Sequence, residues 1–313
     1  MKQSRNWKIY NTRLVNRGKI ITVLIQPSLM RSESLQKTNN NKVGRPFRFS
    51  VGLISAAFAV KCILRLGYRQ TEGFIDDISS KLKIEAPNFR TIWWRINQMK
   101  NDGVKFNIRE KHTVIAVDAT GLRPVNDGEY RMMKYGKMRE WIKLHAVVDV
   151  KSKEILNVIV TKGNVGDCRE FRNIIDPISH DVTEILGDGG YCTKEIYEFC
   201  DKRDILPTIP VKINFSNKFI KSKIRRKMLE DQLGLICTPG NPNRNRFLTR
   251  EKRKRNQDEW KKKVSYGRRV LVESAFSRYK RVVGETLFSR KMENIEKEIV
   301  AKTNLLNRFA TMN

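Results

Sequence analysis

The spacing of apolar residues separates a helical region from a region of strands. Between residues 50 and 102, apolar positions recur at helical spacing in two successive segments, and Pro87 and Asn88 open a third. From residue 113 onward, β-branched runs bounded by turn residues replace this repeat. The pattern therefore predicts a helical domain over residues 50–105, followed by a domain containing the strands over residues 106–313.

The third predicted helix is the basic one. It has Ile92, Trp93 and Ile96 at its apolar positions, with Arg90 and Arg95 around them. Three short helices of which the third is basic are typical of a helix-turn-helix that reads DNA. A plain helical bundle with a solvated charged face fits the same residues, and the sequence leaves both interpretations open.

Five strand-like runs alternate with two helical runs in the second domain. Their order is β-β-β-α-β-α-β, an antiparallel start followed by units that require parallel crossovers. This order predicts an α/β fold with a ribonuclease-H-like mixed sheet and flanking helices. The predicted strands are 113–118, 142–150, 155–161, 182–186 and 205–211, and the predicted helices are 168–175 and 194–202.

Two aspartates follow predicted strands. Asp118 ends the first run, and Asp188 follows the fourth within a glycine-rich turn. Each alone is better explained as a turn residue, but in a sheet of this order the two strand ends lie side by side. His145, Asp149 and Asp167 are instead interpreted as a strand histidine, a turn carboxylate and a helix N-cap.

A single acidic residue lies in a basic stripe near the C-terminus. On a helix at about 100° per residue, Tyr266, Arg269, Glu273 and Lys280 fall within about 60° of one another. The other side of this helix is apolar, with Leu271, Val272, Ala275, Phe276, Tyr279, Val282 and Val283. An amphipathic surface helix with an i,i+4 ion pair is the alternative. Combined with the two aspartates, the segment predicts a helix that crosses the same edge of the sheet.

The predicted catalytic residues and metal ligands are Asp118, Asp188 and Glu273. Three carboxylates without cysteine or histidine partners favour Mg²⁺ or Mn²⁺. Two such ions in one active site, roughly 4 Å apart, would stabilise the attacking and leaving oxygens of a phosphoryl transfer. Arg269 and Lys280 are expected to hold phosphate oxygens, and Tyr266 the adjoining backbone.

The charge balance indicates a polyanionic partner. Lys and Arg total 63 against 33 Asp and Glu, and nucleic acid would relieve the self-repulsion of the resulting net charge of +30. Basic residues are concentrated in a predicted N-terminal arm or linker over 1–49 and in a predicted insertion at about 212–263. The five cysteines form no C-x-x-C pair, and no apolar run is long enough to span a bilayer. We expect a cytoplasmic protein without a zinc site or membrane anchor.

The spacing Tyr-x2-Arg-x3-Glu-x6-Lys, met by Tyr266, Arg269, Glu273 and Lys280, resembles the signature of insertion-sequence transposases of the DDE class. Residues 116–121 and 187–191, around the two aspartates, are similar to the same family. So are residues 143–145, 163–167 and the N-terminal segments 7–18 and 67–73. The resemblance covers nearly the whole chain and is nearest to the insertion-sequence-five branch.

This resemblance implies a prokaryotic, nucleoid-associated transposase. Such an enzyme cleaves at the terminal inverted repeats of a mobile element and joins the 3′ ends to target DNA. Its partners would be double-stranded DNA, as element ends and target, and a second copy of the chain, since two ends need two active sites. No small-molecule cofactor is expected. A ribonuclease-H-like nuclease that cuts without joining, and an inactive DNA-binding remnant, are the alternatives.

The predicted DNA contacts are spread over three regions of the chain. In some relatives an aromatic residue of the insertion holds a flipped base; Trp260 is the candidate here, with simple packing as the alternative. The full set of predicted contacts is Tyr266, Arg269, Lys280, Arg268, Trp260, Arg253, Lys254, Arg255, Arg90 and Arg95.

Overall fold

The computed structural model of the chain describes residues 32–81, 83–101, 113–125, 141–213, 223–234 and 249–311, with residues 7, 8, 11, 12 and 15. Most of the predicted N-terminal arm and the centre of the predicted insertion, including the Pro- and Gly-rich stretch 238–243, lie outside the described residues.

The described elements are as follows. The helices are α1 (Ser32–Asn39), α2 (Val51–Leu64), α3 (Tyr68–Lys81), α4 (Phe89–Gln98), α5 (Asp167–Ile175), α6 (Lys194–Asp201), α7 (Lys223–Leu233), α8 (Arg250–Lys263), α9 (Val270–Val283) and α10 (Met292–Thr311). The strands are β1 (Thr113–Pro124), β2 (Ile142–Asp149), β3 (Ile155–Lys162), β4 (Val182–Leu186), β5 (Leu206–Thr208) and β6 (Thr286–Leu287). Short 3₁₀ turns cover Asp176–Asp181, Gly189–Tyr191 and Tyr266–Arg269.

The chain divides into two compact units. Unit 1 comprises residues 1–103 and 282–313, and unit 2 comprises residues 104–281. The division differs from the predicted domain of residues 106–313, because α10 packs with the N-terminal helices. Lys297 Nζ donates to Ile96 O at 2.9 Å, and Asn294 Nδ2 donates to Asn97 Oδ1 at 3.0 Å. Helix α10 thus provides a hydrogen-bond donor for the carbonyl of Ile96, which lies in the last turn of α4 where helical carbonyls lack a partner within their own helix.

The helices of unit 1 begin where the sequence predicts helix starts. Asn88 caps α4 by accepting from Thr91 N at 2.8 Å, and Ser50 caps α2 by accepting from Leu53 N. Part of the predicted arm is helical as well: α1 lies within it, and Asn39 bonds through its side chain to both backbone groups of Phe47. Residues 32–49 are therefore more ordered than a linker.

Among the described helices, no single one is both long and apolar enough to cross a bilayer. Helices α2 and α3 have the necessary length and composition only as a pair, and the chain bends by 117° between them.

A mixed sheet forms the centre of unit 2. Its strand order is β3-β2-β1-β4-β5. β1, β2 and β3 are antiparallel neighbours, whereas β4 runs parallel to both β1 and β5. The predicted ribonuclease-H-like arrangement is confirmed. α5 and α6 pack on this sheet through a buried apolar cluster that includes Ile115, Val147, Phe171 and Ile185.

β5 is shorter than predicted, because glutamine side chains replace a neighbouring strand beyond Thr208. Gln232 on α7 donates to Ile209 O at 2.9 Å and accepts from Val211 N at 2.8 Å. Gln257 on α8 donates to Val211 O at 2.7 Å. The two glutamines are almost fully buried and fix the two helices of the predicted insertion to the edge of unit 2.

Candidate active site

Asp118 lies within β1, not at its end. The prediction that the strand stops at Asp118 is wrong, because β2 continues as its antiparallel partner and Asp118 is paired with Ala146. The parallel pairing with β4, in contrast, ends with Ala116 opposite Leu186. Asp118 is therefore two residues beyond the last contact between the parallel strands. Its Oδ1 accepts from Ala119 N at 2.8 Å.

Asp188 has the equivalent position on the neighbouring strand, two residues beyond Leu186. Its carboxylate caps the 3₁₀ turn that follows, accepting from Gly190 N at 2.8 Å through Oδ1. The register of one pair of strands thus brings the two aspartates to one edge of the sheet, as the sequence predicts.

Arg269 connects the first aspartate with Glu273. Its Nη1 donates to Asp118 Oδ2 at 2.9 Å, and its Nη2 donates to Glu273 Oε1 one turn further along. Tyr266 donates its hydroxyl to Gly187 O at 3.0 Å, next to Asp188. The segment 266–273 is therefore attached to β1 at Asp118 and to the end of β4.

The three carboxylates contribute to the pKa shifts of the side chains in this segment. Burial raises the pKa of Tyr266 to about 12; Arg269 opposes the shift, and Asp188, Asp118 and Glu273 add to it. Burial also raises the pKa of Asp118, against the Ala119 N–H and Arg269 and with a contribution from Asp188. Burial lowers the pKa of Arg269, but Tyr266 and the neighbouring carboxylates outweigh it and leave that pKa raised.

The predicted helix over residues 266–280 is divided in the structure. Tyr266–Arg269 form a 3₁₀ turn, and only from Val270 is the chain α-helical, as α9. Ser265, at φ 52°, is left-handed and separates the turn from α8. Lys280 is half-buried in the last turn of α9. The predicted apolar side is buried at Val272, Ala275, Phe276, Tyr279 and Val283, but Val282 is exposed.

Arg268 has a different role from the predicted DNA contact. Its Nη2 bonds to Glu184 Oε1 on β4 at 2.8 Å, and Thr208 Oγ1 donates to the same oxygen at 2.6 Å. The guanidinium also donates to the carbonyls of Val264 and Ser265. Arg268 therefore holds the 3₁₀ turn against β4. The signal in the sequence is Glu184, the charged residue of β4.

Trp260 packs beside this turn. Its ring centroid is 6.2 Å from that of Tyr266, so the insertion helix α8 contacts the residue bonded to Gly187. Lys254 and Arg255 are exposed on α8, Arg253 is half-buried, and Arg255 is paired with Glu259. Gln257 is the buried residue of the helix, so the remaining surface presents mainly charge to solvent.

A second polar cluster, formed by Lys143, His145 and Asp167, was not predicted from the sequence. Asp167 is not the predicted N-cap, since Gly166 has that position; it pairs with Lys143 Nζ at 3.1 Å and lies 3.6 Å from His145 Nδ1. Burial lowers the pKa of His145, although Asp167 opposes the shift. Cys168 donates to Gly190 O, which links the cluster to the Asp188 turn. Asp149, in contrast, is a turn carboxylate, accepting from Lys151 N and Ser152 N as predicted.

The two predicted DNA contacts in unit 1 differ in accessibility. Arg90 remains a candidate beside the exposed Trp93. Arg95 is only 4% exposed, its Nη1 donates to Phe49 O at 3.0 Å, and its guanidinium lies 3.7 Å from the centre of the Phe47 ring. The prediction that Arg95 contacts DNA is corrected, because this side chain holds α4 to residues 47–49, which precede α2.

The carboxylates fit a divalent metal by chemistry but are not gathered as a coordination shell. Within the ranges that the structure describes, no three His, Cys, Asp or Glu side chains are close enough to hold an ion. Arg269 lies between two of the three candidates instead. Three oxygen donors, two of them beside a guanidinium, are suited to a hard cation.

Comparisons with known proteins show the family to which the chain belongs. Residues 109–308 match the family model described as "Transposase DDE domain", and residues 15–127 match a second model of the same description. Among solved structures, the chain is similar to "Drosophila P element transposase strand transfer complex", with 13% identity, 89% of this chain and 83% of that chain covered, and a TM-score of 0.33. It is also similar to "Crystal structure of a pre-cleavage Mos1 transpososome", with 8% identity, 54% and 61% covered, and a TM-score of 0.20. Because the first family model spans well over half of the chain, the chain belongs to the transposases with a DDE domain.

Proposed function

We propose that this protein cleaves DNA at the ends of an insertion sequence and joins the 3′-hydroxyl ends to target DNA. Asp118, Asp188 and Glu273 are the proposed catalytic residues. The observation that supports them most strongly is the Arg269 side chain, which bonds Asp118 on the central strand and Glu273 on α9 together. These two bonds bring Asp118 and Glu273, 155 residues apart in the chain, to a single guanidinium group.

The same three carboxylates are the proposed ligands of Mg²⁺ or Mn²⁺. When bound, such ions activate a water or a 3′-hydroxyl and stabilise the leaving oxygen of a phosphoryl transfer. The protein holds the carboxylates on rigid elements: Asp118 within the sheet, Asp188 in its capped turn, and Glu273 on α9. Tyr266 fixes the end of β4 through Gly187 O, so that the ligands keep their positions relative to one another.

Arg269 and Lys280 are the proposed phosphate contacts. A guanidinium can bind phosphate oxygens through two parallel hydrogen bonds, and Arg269 at present makes one bond to each of two carboxylates. On DNA, the phosphate next to the reacting bond would take the place of these carboxylates. The exposed cations of α8, Lys254 and Arg255, would lie along the DNA backbone and bind it without regard to sequence.

The test is a strand-transfer assay with the sequences that flank the gene for this chain. Labelled ends, target DNA and Mg²⁺ are mixed with the protein, and the products are separated on a denaturing gel. Joined products support the proposal, nicked ends without joining indicate a nuclease on the same scaffold, and a mobility shift alone indicates a DNA-binding remnant.

Glu273→Gln is the informative variant, because it removes the charge and keeps the shape. We expect cleavage to fall by roughly a hundredfold or more, since altering even the outer partners of metal ligands costs up to about a hundredfold, while affinity for DNA stays nearly unchanged. Glu195→Gln on α6, an exposed glutamate of the same unit, is the matched control. Loss of DNA affinity together with cleavage in Glu273→Gln would mean that Glu273 has a structural role.

A further inference from the structure

Unit 1 has a groove between the first turn of α3 and the first turn of α4. Its volume is about 520 Å³, and its lining includes Tyr68, Arg69, Gln70, Phe89, Arg90 and Trp93. This α3–α4 groove lies entirely within unit 1, whereas the carboxylates described above belong to unit 2. It is a separate site.

The groove combines positive charge with aromatic surface. The guanidinium groups of Arg69 and Arg90 lie 4.9 Å and 5.9 Å from the centre of the Phe89 ring. As far as the structure describes it, the lining contains no acidic residue. Glu72, nearby on α3, accepts from Phe89 N at 3.0 Å and so serves as a cap for α4. An anion would therefore complement the positive charge of this groove.

Trp93 adds an exposed aromatic face to the same groove. It is 51% exposed, although an indole of this size normally finds cover in a folded protein. Its neighbour Trp94 is 47% exposed but is not part of the lining, and its ring lies 6.2 Å from that of Phe47 instead. The helix thus has one tryptophan inside the groove and one outside it.

We propose that the α3–α4 groove binds an unpaired nucleotide, with the base on Trp93 and the phosphate between Arg69 and Arg90. In duplex DNA the base faces are covered by stacking, so only an unpaired base can present its face to an aromatic side chain. The inference rests on the proposed function in so far as the protein acts on DNA, and adds that unit 1 recognises an unstacked base. A second copy of the chain fits less well, because two identical grooves, each with two arginines, would repel each other.

The test is the affinity of the full-length protein for a short labelled oligothymidylate, measured by fluorescence anisotropy in EDTA. Stacking on one aromatic side chain changes affinity by roughly tenfold or more, so Trp93→Ala should weaken binding by that factor. Trp93→Phe should restore most of the affinity, because it keeps a ring. Arg90→Ala should also reduce the slope of log affinity against log salt by about 0.7, the value for one phosphate contact in a single strand.

Trp94→Ala is the matched control, since it removes the same side chain from the same helix outside the groove. Equal losses in Trp93→Ala and Trp94→Ala, or no loss in either, overturn the proposal. So does a change from dimer to monomer on sedimentation of Trp93→Ala with unchanged oligonucleotide affinity, which would assign the groove to a second copy. Strand transfer is scored separately with the wild-type protein: if joining fails while binding that depends on Trp93 persists, the groove stands and the proposed function does not.

Discussion

At the scale of single residues, Arg269 stands out, because it bonds to two of the three proposed metal ligands. Its guanidinium is paired with Asp118 and Glu273, and the arginine and the aspartate are about one-fifth exposed. A charge-assisted pair that is partly shielded from water is stronger than one at the surface. We therefore expect the arginine, in the absence of DNA, to compete with a divalent cation for the same carboxylates.

Replacing this arginine is expected to strengthen metal binding. In Arg269→Ala the competing positive charge is gone, so the affinity of the DNA-free protein for Mn²⁺ should rise by roughly tenfold, equivalent to about 1.4 kcal/mol. Isothermal titration or the loss of the free Mn²⁺ signal in electron paramagnetic resonance measures this without any turnover. Arg281→Ala removes the same charge from an exposed site on α9 and serves as the control. Weaker Mn²⁺ binding in Arg269→Ala would show that the arginine organises the carboxylates and does not compete for them.

Gly190 gives a second test at this scale. A Cβ on Gly190 would lie 2.8 Å from Asp188 Oδ1, whereas a Cβ on the adjacent Gly189 would meet only Pro210 O at 3.5 Å. Gly190→Ala should displace the carboxylate of Asp188 and reduce cleavage by roughly a hundredfold, the effect of misplacing a reacting group by about 1 Å. Gly189→Ala should retain activity. Tm values from thermal melts check that the two variants are folded; full activity in Gly190→Ala would remove Asp188 from the site.

At the scale of elements, the sequence predicted what depends on local pattern. β-branched runs gave the order of the strands, and helical spacing gave the association of Arg269 with Glu273. The 3₁₀ form of Tyr266–Arg269 could not be predicted, because Tyr266 and Arg268 hold this turn through bonds to Gly187 and Glu184, which are distant in the chain. The length of β1 depends on its partner β2 and is not encoded in β1 alone.

The errors concern charged residues whose partners are distant in the chain. Arg95 looks like a DNA contact in a basic helix, yet it is buried because Phe47 and Phe49 O, from the segment interpreted as a linker, surround its guanidinium. Arg268 lies beside Arg269, but Glu184 holds it to β4. Spacing identifies which residues share a face, whereas only the folded chain shows which of them already have partners.

The packing of α10 into unit 1 provides a test of stability. Glu298 and Lys302 form a buried pair at 2.8 Å; Glu298 also accepts from Phe288 N and Ser289 N, and Lys302 donates to Thr286 O. Burial alone would raise the pKa of Glu298, but Lys302 and the backbone N–H of Phe288 outweigh it and lower that pKa below 4.5. The ionised form is therefore the one that the fold stabilises.

Glu298→Gln should lower the free energy of unfolding by about 3–5 kcal/mol at neutral pH, because it leaves a buried lysine without its partner. The sign of the pH dependence follows from the lowered pKa. The contribution of Glu298 is fully present above about pH 4.5 and is lost as the pH falls through the folded pKa, so the difference between wild type and variant should shrink in acid. Denaturant unfolding at several pH values measures it, with the exposed Glu293→Gln of the same helix as control. A constant difference across the pH range would contradict the ionised pair.

At the scale of the whole molecule, both proposed sites belong to a chain whose positive charge favours binding to DNA. A net charge of +30 is a source of self-repulsion that DNA removes. Not every cation is available to neutralise DNA phosphates, because Arg95, Arg268 and Lys302 already bond to other groups of the protein. In the described part of unit 2, α8 is strongly basic, since this helix has eight Lys or Arg residues against three Asp or Glu.

Salt dependence of DNA binding distinguishes specific phosphate contacts on α8 from the effect of net charge. Each phosphate contact to duplex DNA contributes about 0.9 to the slope of log affinity against log salt. Lys254→Gln, an exposed position of α8, should therefore make the slope shallower by about 0.9, whereas Lys202→Gln, an exposed lysine just after α6, should leave it unchanged. The two variants carry the same net charge. Equal slopes for both would mean that α8 does not follow the DNA backbone and that the positive charge of this protein acts only as a diffuse field.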